Sequence, residues 1–158
     1  PYTAVNARQE SIGQGDFREE ENPNRSYRGK TCYPANESDL DLVLNTRRVM
    51  GQKPVIVSVR MLNPCVLAEL EFAADAILVD FGVQQDALLT LVSGGAEPSG
   101  LLPVQLPRDM DTVEAHCEDK PLDLEPYVDS QGNAYDFGFG LNWSGVIEDE
   151  RTRRYPKP

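Results

Sequence analysis

The sequence predicts an α/β fold, a three-layer α/β/α sandwich built on a mostly parallel sheet. Three observations predict it. Two short apolar runs, Pro54-Val55-Ile56-Val57-Ser58-Val59 and Ala76-Ile77-Leu78-Val79-Asp80, read as strands buried on both faces. Between them, Cys65, Val66, Ala68, Leu70, Phe72 and Ala73 can make one buried helical face. A second helical stretch, residues 86–92, and a third apolar run, residues 101–106, continue the alternation. Strand, helix, strand, helix, strand at this spacing describes a parallel unit with right-handed crossovers.

Taken in order, the chain divides into a polar leading segment, residues 1–37, a domain of residues 38–147, and a charged tail, residues 148–158. The leading segment holds the turn signal Asn22-Pro23-Asn24. Its acidic run Glu19, Glu20, Glu21 precedes Arg25, Arg28 and Lys30. Such a run is ordinarily a solvated loop; the functional alternative is a loop shaped around a polar ligand. Ser38 then stands where a helix N-cap belongs, and Asp39 and Asp41 suit the positive end of the helix dipole. Leu40, Val43, Leu44 and Met50 supply an inner stripe, Arg47 and Arg48 favour the C-terminal end, and Gly51 stops the helix. After the first strand, Asn63 is placed to cap the next helix and Pro64 to begin it.

The turns after the two strands matter most for function. Open parallel sheets bind ligands beyond the carboxyl ends of their strands. Residues 60–63 and the turn Phe81-Gly82-Val83-Gln84-Gln85 fall there. Asp86 reads as the cap of the following helix, which ends at Ser93-Gly94-Gly95. Pro103 makes residues 101–106 an edge strand or a short one. Residues 108–128 read as a long acidic wrapping loop, Ser130-Gln131-Gly132-Asn133 as a turn, and the tail as solvated or frayed.

Composition narrows the function classes. The 158 residues fit one domain and are enough for a true core. A net charge of −11 argues against nucleic acid and anionic membrane surfaces as partners. There is no apolar run of about 20 residues to span a bilayer. A start at Pro1 without a leader reads as a fragment or a processed chain. Cys32, Cys65 and Cys117 are odd in number and widely spaced, a pattern of buried or incidental thiols. No residue set calls for a cofactor or a metal.

Four motifs in order then become recognisable. They are Lys53-Pro54-Val55-Ile56-Val57, Asp75-Ala76-Ile77-Leu78, the turn Pro98-Ser99-Gly100-Leu101-Leu102-Pro103 preceded by Glu97, and Phe137-Gly138-Phe139-Gly140-Leu141. Over residues 38–143 the chain resembles the C-terminal α/β domain of glycoside hydrolase family 3, which includes β-glucosidases and β-xylosidases. The resemblance implies a retaining, exo-acting glycosidase acting on terminal non-reducing sugars. It implies a carbohydrate substrate and a separate N-terminal (β/α)8 barrel carrying an aspartate nucleophile. A barrel needs about 250 residues, so it lies outside this chain, and the α/β domain alone is expected to be inactive. In many members the α/β domain supplies the general acid/base, a glutamate in the loop after the second strand. That position falls here on Val83 or Gln84, neither of which is an acid. The catalytic candidates are therefore Glu19, Glu20 and Glu21, with Asp80 and Asp86 as alternatives; Arg60, Phe81 and Gln84 are the candidate sugar-binding residues.

The plainer readings stand beside these. Asp80 can be a structural acceptor, the sole histidine His116 a surface residue, and Trp143 a core or interface anchor. The Phe-Gly-Phe-Gly run reads as a structural clasp that closes the domain. A receiver-like α/β domain is a rival, because Asp80 ends a strand, but no acidic pair follows a first strand. A non-catalytic interaction module is the other rival, and dinucleotide binding lacks its glycine fingerprint.

Overall fold

A computed structural model of the protein describes residues 37–117 and 120–154. In order these form helix Glu37–Met50 (α1), strand Ile56–Arg60 (β1), helix Ala68–Glu71 (α2), strand Ala76–Asp80 (β2) and helix Gln85–Val92 (α3). Helix Met110–Ala115 (α4), strands Leu141–Asn142 (β3) and Gly145–Val146 (β4), and helix Glu150–Arg154 (α5) complete the order.

The α/β class is present. β1 and β2 are adjacent and parallel, in a register running from Ile56 opposite Ala76 to Arg60 opposite Asp80. The ladder extends at both ends, through Asp75 N to Val55 O and Met61 N to Asp80 O, each 2.8 Å. Among the described residues this sheet has two strands, and β3 pairs with β4 in a separate antiparallel hairpin.

One cation aligns the starts of these elements. α1 ends where Gly51 adopts φ 58° and donates to Arg47 O. The Arg47 guanidinium then reaches Ala73 O at 2.8 Å and both Gly51 O and Lys53 O at 3.2 Å. It also pairs with the Asp75 carboxylate, whose Oδ2 accepts from Val55 N at 2.7 Å. A helix C-terminus favours a cation, and here that cation stitches α1 to the entries of β1 and β2.

Several local expectations are corrected. The helix expected over residues 65–74 has only the four residues of α2. Its cap position is Leu67, which offers no side-chain hydrogen bond, so Asn63 and Pro64 are neither cap nor first turn. Leu67 is instead fully buried in the core, while Phe72, expected on the inner face, is 72% exposed. Ser38 lies inside α1 rather than capping it, and Asp86 lies in the first turn of α3, whose cap is Gln84. Residues 108–128 are not all loop, because Asp109 caps α4 by accepting from Thr112 N at 2.8 Å. Within the tail, residues 150–154 form α5, and Arg151 Nη1 ties this helix back to Ser99 O at 2.8 Å.

Residues 101–106 are not a strand of the parallel sheet. Leu102 N donates to Phe139 O at 2.7 Å, Gly138 N to Leu102 O at 2.8 Å, and Leu106 N to Tyr135 O at 2.9 Å. Backbone groups need partners, and these found theirs in a segment 29 to 37 residues downstream instead of beside β2. The turn at residues 130–133 is as expected, closed by Gly132 N to Asp129 O.

The core gathers Met61, Leu67 and Leu106, packed by Val59, Leu70, Ile77, Val79, Leu102, Val104 and Tyr135. It thus sits where the carboxyl halves of both parallel strands meet the segment clasped by residues 135–139. No helix among the described residues is long and apolar enough to cross a membrane.

Candidate functional site

β1 ends at Arg60 and β2 at Asp80, and the two residues are direct partners in the register. The candidate edge is therefore built from a cation and an anion side by side. Asp80 is buried, 7% exposed, and its Oδ1 accepts from Gly82 N at 2.8 Å and Val83 N at 3.1 Å. Arg60 Nε approaches the same oxygen at 3.4 Å, and Arg60 Nη2 donates to Val83 O at 3.1 Å. This folds the turn after β2 back over the strand end. Gly82 has φ 108°, a backbone that side chains with a Cβ rarely adopt, so the turn requires glycine there.

The electrostatics follow from these bonds. The Gly82 N–H holds the Asp80 carboxyl below its usual range, aided by the Val83 N–H and Arg60 and opposed by desolvation. Asp80 at neutral pH is therefore an anion that anchors a turn. Its ionised form is bonded in the fold, so it stabilises the fold above the ordinary value of 3.8, and that contribution is lost as pH falls through the lowered value. Asp80→Asn is expected to flatten the acid limb of the stability curve. Urea midpoints of both proteins measured from about pH 6 down to pH 3 test this. An unchanged acid limb in the variant would refute the anchoring role.

Around this pair the structure brings together the other residues named from the sequence. Phe81 is 51% exposed, and Gln84 and Asp86 are exposed beside it. Leu62, just beyond β1, is also exposed and was not anticipated. An exposed guanidinium, an aromatic face and an amide on one strand edge can stack on and hydrogen-bond a polyhydroxyl ring. Glu19, Glu20 and Glu21 lie outside the described residues. Among the described residues, no group of three or more His, Cys, Asp and Glu side chains could hold a metal ion.

Two further placements differ from expectation. His116 is not a surface residue. Its Nδ1 pairs with Asp123 Oδ1, with the two side chains 18% and 11% exposed. Asp123 Oδ2 accepts from Cys117 N at 2.9 Å, and that bond is the first cause holding the Asp123 carboxyl low. No motif announces this pair in the sequence. Trp143 is not in the core, which leaves the interface alternative untouched; it is 66% exposed at the tip of the β3–β4 hairpin, its backbone N–H donating to Glu97 Oε1 at 3.2 Å.

Residues 10–143 match the glycosyl hydrolase family 3 C-terminal domain. The chain belongs to this family. It is 37% identical over 96 residues to beta-glucosidase C of Emericella nidulans, covering 61% of this chain and 15% of that protein. It is 33% identical over 106 residues to a probable beta-glucosidase C of Aspergillus oryzae, covering 67% and 16%. It is 27% identical over 117 residues to a periplasmic beta-glucosidase/beta-xylosidase of Dickeya chrysanthemi, covering 74% and 16%. The chain thus spans about one sixth of the length of these relatives. No solved structure matches it.

In this family 3 domain the motifs that carry the resemblance meet in space. Pro98-Ser99-Gly100-Leu101-Leu102 lies against Phe137-Gly138-Phe139-Gly140, joined by the Leu102 and Gly138 backbone bonds. A Cβ on Gly140 would lie 2.2 Å from Gly100 O, so the two chains approach as closely as glycine permits. Tyr135 stacks on Phe139 at 5.7 Å and meets Tyr127 edge-on at 5.4 Å. The glycine-aromatic run is a clasp, held by main chain and closed by rings.

Proposed function

We propose that this chain is the C-terminal domain of an exo-acting, β-glucosidase-like glycosidase that releases terminal non-reducing sugars with retention. The family match over residues 10–143, together with relatives named as beta-glucosidases and a beta-xylosidase, carries the reading. In it, residues 38–147 are one face of a larger enzyme, with residues 1–37 leading in and 148–158 as a tail. The complete domain is a three-layer α/β/α sandwich, and it caps the sugar site of an N-terminal (β/α)8 barrel that brings the nucleophile.

The carboxyl edge of the two strands faces that sugar site. Arg60, Phe81 and Gln84 bind sugar hydroxyls and ring faces there, supported by their common exposed edge. The proton donor is Glu19, Glu20 or Glu21, with Asp80 and Asp86 as alternatives. The tied-down carboxylate of Asp80 suits anchoring better than proton donation, which favours the glutamates.

The full-length enzyme tests both levels. Released sugar is expected to appear first as the β-anomer from an aryl β-glucoside or aryl β-xyloside, followed by NMR. A first-formed α-anomer, or no cleavage of either, would overturn the reading. Glutamine at each of positions 19, 20 and 21, with Gln84→Ala alongside, locates the donor. One of the three is expected to lose about 10²–10⁴-fold in kcat on a poor leaving group and far less on an activated one. Wild-type kcat in all three on both substrates would exclude the acidic run and move the search to Asp80, Asp86 or the barrel.

A further inference from the structure

The Arg60 guanidinium is held in place before any ligand arrives. Its side chain is 60% exposed, whereas that of Asp80, its register partner, is 6% exposed. A long, solvated arginine ordinarily samples many rotamers. Here two contacts fix it. Nε approaches Asp80 Oδ1 at 3.4 Å, and Nη2 donates to Val83 O at 3.1 Å. Val83 N donates in turn to the same Asp80 oxygen at 3.1 Å, beside Gly82 N at 2.8 Å. Carboxylate, turn peptide and guanidinium thus close a ring.

The ring leaves one arm of the fork to spare. A guanidinium is planar, so fixing two of its nitrogens fixes the third. Among the described residues, Arg60 Nη1 has no partner. It carries N–H donors and no acceptor, which suits an oxygen of a ligand. The turn that holds the guanidinium also carries the neighbouring candidates: Phe81 directly follows Asp80, and Gln84 directly follows Val83. Asp80 itself shows a ligand almost no surface, so its influence on binding passes through Arg60.

We propose that Asp80 is a positioning residue for ligand binding: with the turn it anchors, it holds the Arg60 guanidinium so that Nη1 donates to a sugar oxygen. This positioning rests on the sugar-binding role of Arg60 proposed above. An arginine ordered in advance does not have to be ordered by the ligand. Sparing one rotamer-rich side chain that cost strengthens binding by about 3- to 10-fold in Kd.

Calorimetric binding of glucose and of xylose to the full-length enzyme tests this as a double-mutant cycle. Asp80→Ala is expected to raise the Kd of the sugar that binds by about 3- to 10-fold. Arg60→Met is expected to raise it at least as much, and adding Asp80→Ala to Arg60→Met to change it no further. A role for Asp80 in stability alone gives the same loss in both backgrounds, and that result would overturn the proposal. Gly82→Ala is a second route that leaves the carboxylate in place. Its Cβ would meet nothing within 4 Å, but φ 108° disfavours it, so the turn shifts and draws Val83 O away from Arg60. The same loss is expected, again absent in the Arg60→Met background. An unchanged Kd in Asp80→Ala, or in Gly82→Ala should Asp80→Ala not fold, would overturn the positioning, as would an enzyme that binds neither sugar. No readout depends on turnover. An enzyme that shows the coupling yet cleaves no aryl glycoside would uphold the positioning and sink the glycosidase reading; an active enzyme with additive losses would sink the positioning alone.

Discussion

The purified chain is expected to leave aryl β-glucosides and aryl β-xylosides uncleaved beyond the buffer rate. Double displacement needs two carboxyl groups about 5–5.5 Å apart, one to attack and one to move the proton. In the proposed enzyme the attacking aspartate belongs to a barrel of about 250 residues, more than this chain contains. What remains is at most a proton donor, and a lone general acid contributes about 10²–10⁴-fold. Enzymes accelerate their reactions by about 10⁶-fold or more, so the proton donor cannot substitute for the missing step. The acids that the structure does place on the sheet edge do not rescue it. Asp80 is buried under two backbone N–H donors and a guanidinium, and Asp86 stands in the first turn of α3. The measurement is release of nitrophenol by chain purified to remove contaminating glycosidases. Turnover above the blank that follows the chain through purification would show that the hydrolytic machinery lies within these residues.

Gly140→Ala is expected to be the most damaging single substitution in the clasp. The new Cβ would sit 2.2 Å from Gly100 O and 3.1 Å from Leu101 Cδ2. The nearest atom is backbone, so relief requires residues 98–102 to move away from residues 137–140. Overpacking of this kind costs about 1–3 kcal/mol. Moving the segments also strains the bonds from Leu102 N to Phe139 O and from Ile147 N to Gly140 O, each worth about 0.5–1.5 kcal/mol net. A total of roughly 2–4 kcal/mol corresponds to a Tm lowered by roughly 5–15 °C for a chain of this size. Gly132→Ala is the control. Gly132 has φ 86° but open space around its Cβ position, so only backbone strain of about 1 kcal/mol is expected. Thermal unfolding of both variants decides between packing and conformation. A Gly140→Ala protein that melts with the wild type, or above Gly132→Ala, would show that the close approach carries no stability.

The two parallel strands, α1 and α3 were legible because their signal is local. An apolar run of five or six residues, or a helical stripe ended by Gly51 or Gly94, reports its own burial without reference to distant chain. The four-motif pattern was legible for the same reason, since each motif is a short stretch with its own turn or strand chemistry. What could not be read was pairing across distance. Residues 101–106 carry the pattern of a strand, yet their partners lie at residues 135–139, and nothing near Leu102 specifies Phe139. His116 looked like a surface histidine until a carboxylate seven residues on was found against its ring. Phe72, expected on the buried face of a helix over residues 65–74, is exposed, and that helix is a single turn without a capping side chain.

The sequence by itself therefore determined the class of fold, the polarity of the strands and the family. It also determined that position 84 carries an amide and not an acid. Only the tertiary structure decided what the groups at the carboxyl ends of those strands do. It made Asp80 the anchor of the turn after β2 and set Arg60 beside it with a guanidinium still open to solvent. The reason is physical. Apolar periodicity is written residue by residue, whereas a hydrogen bond is decided by which groups the packed chain finally brings within about 3 Å of one another.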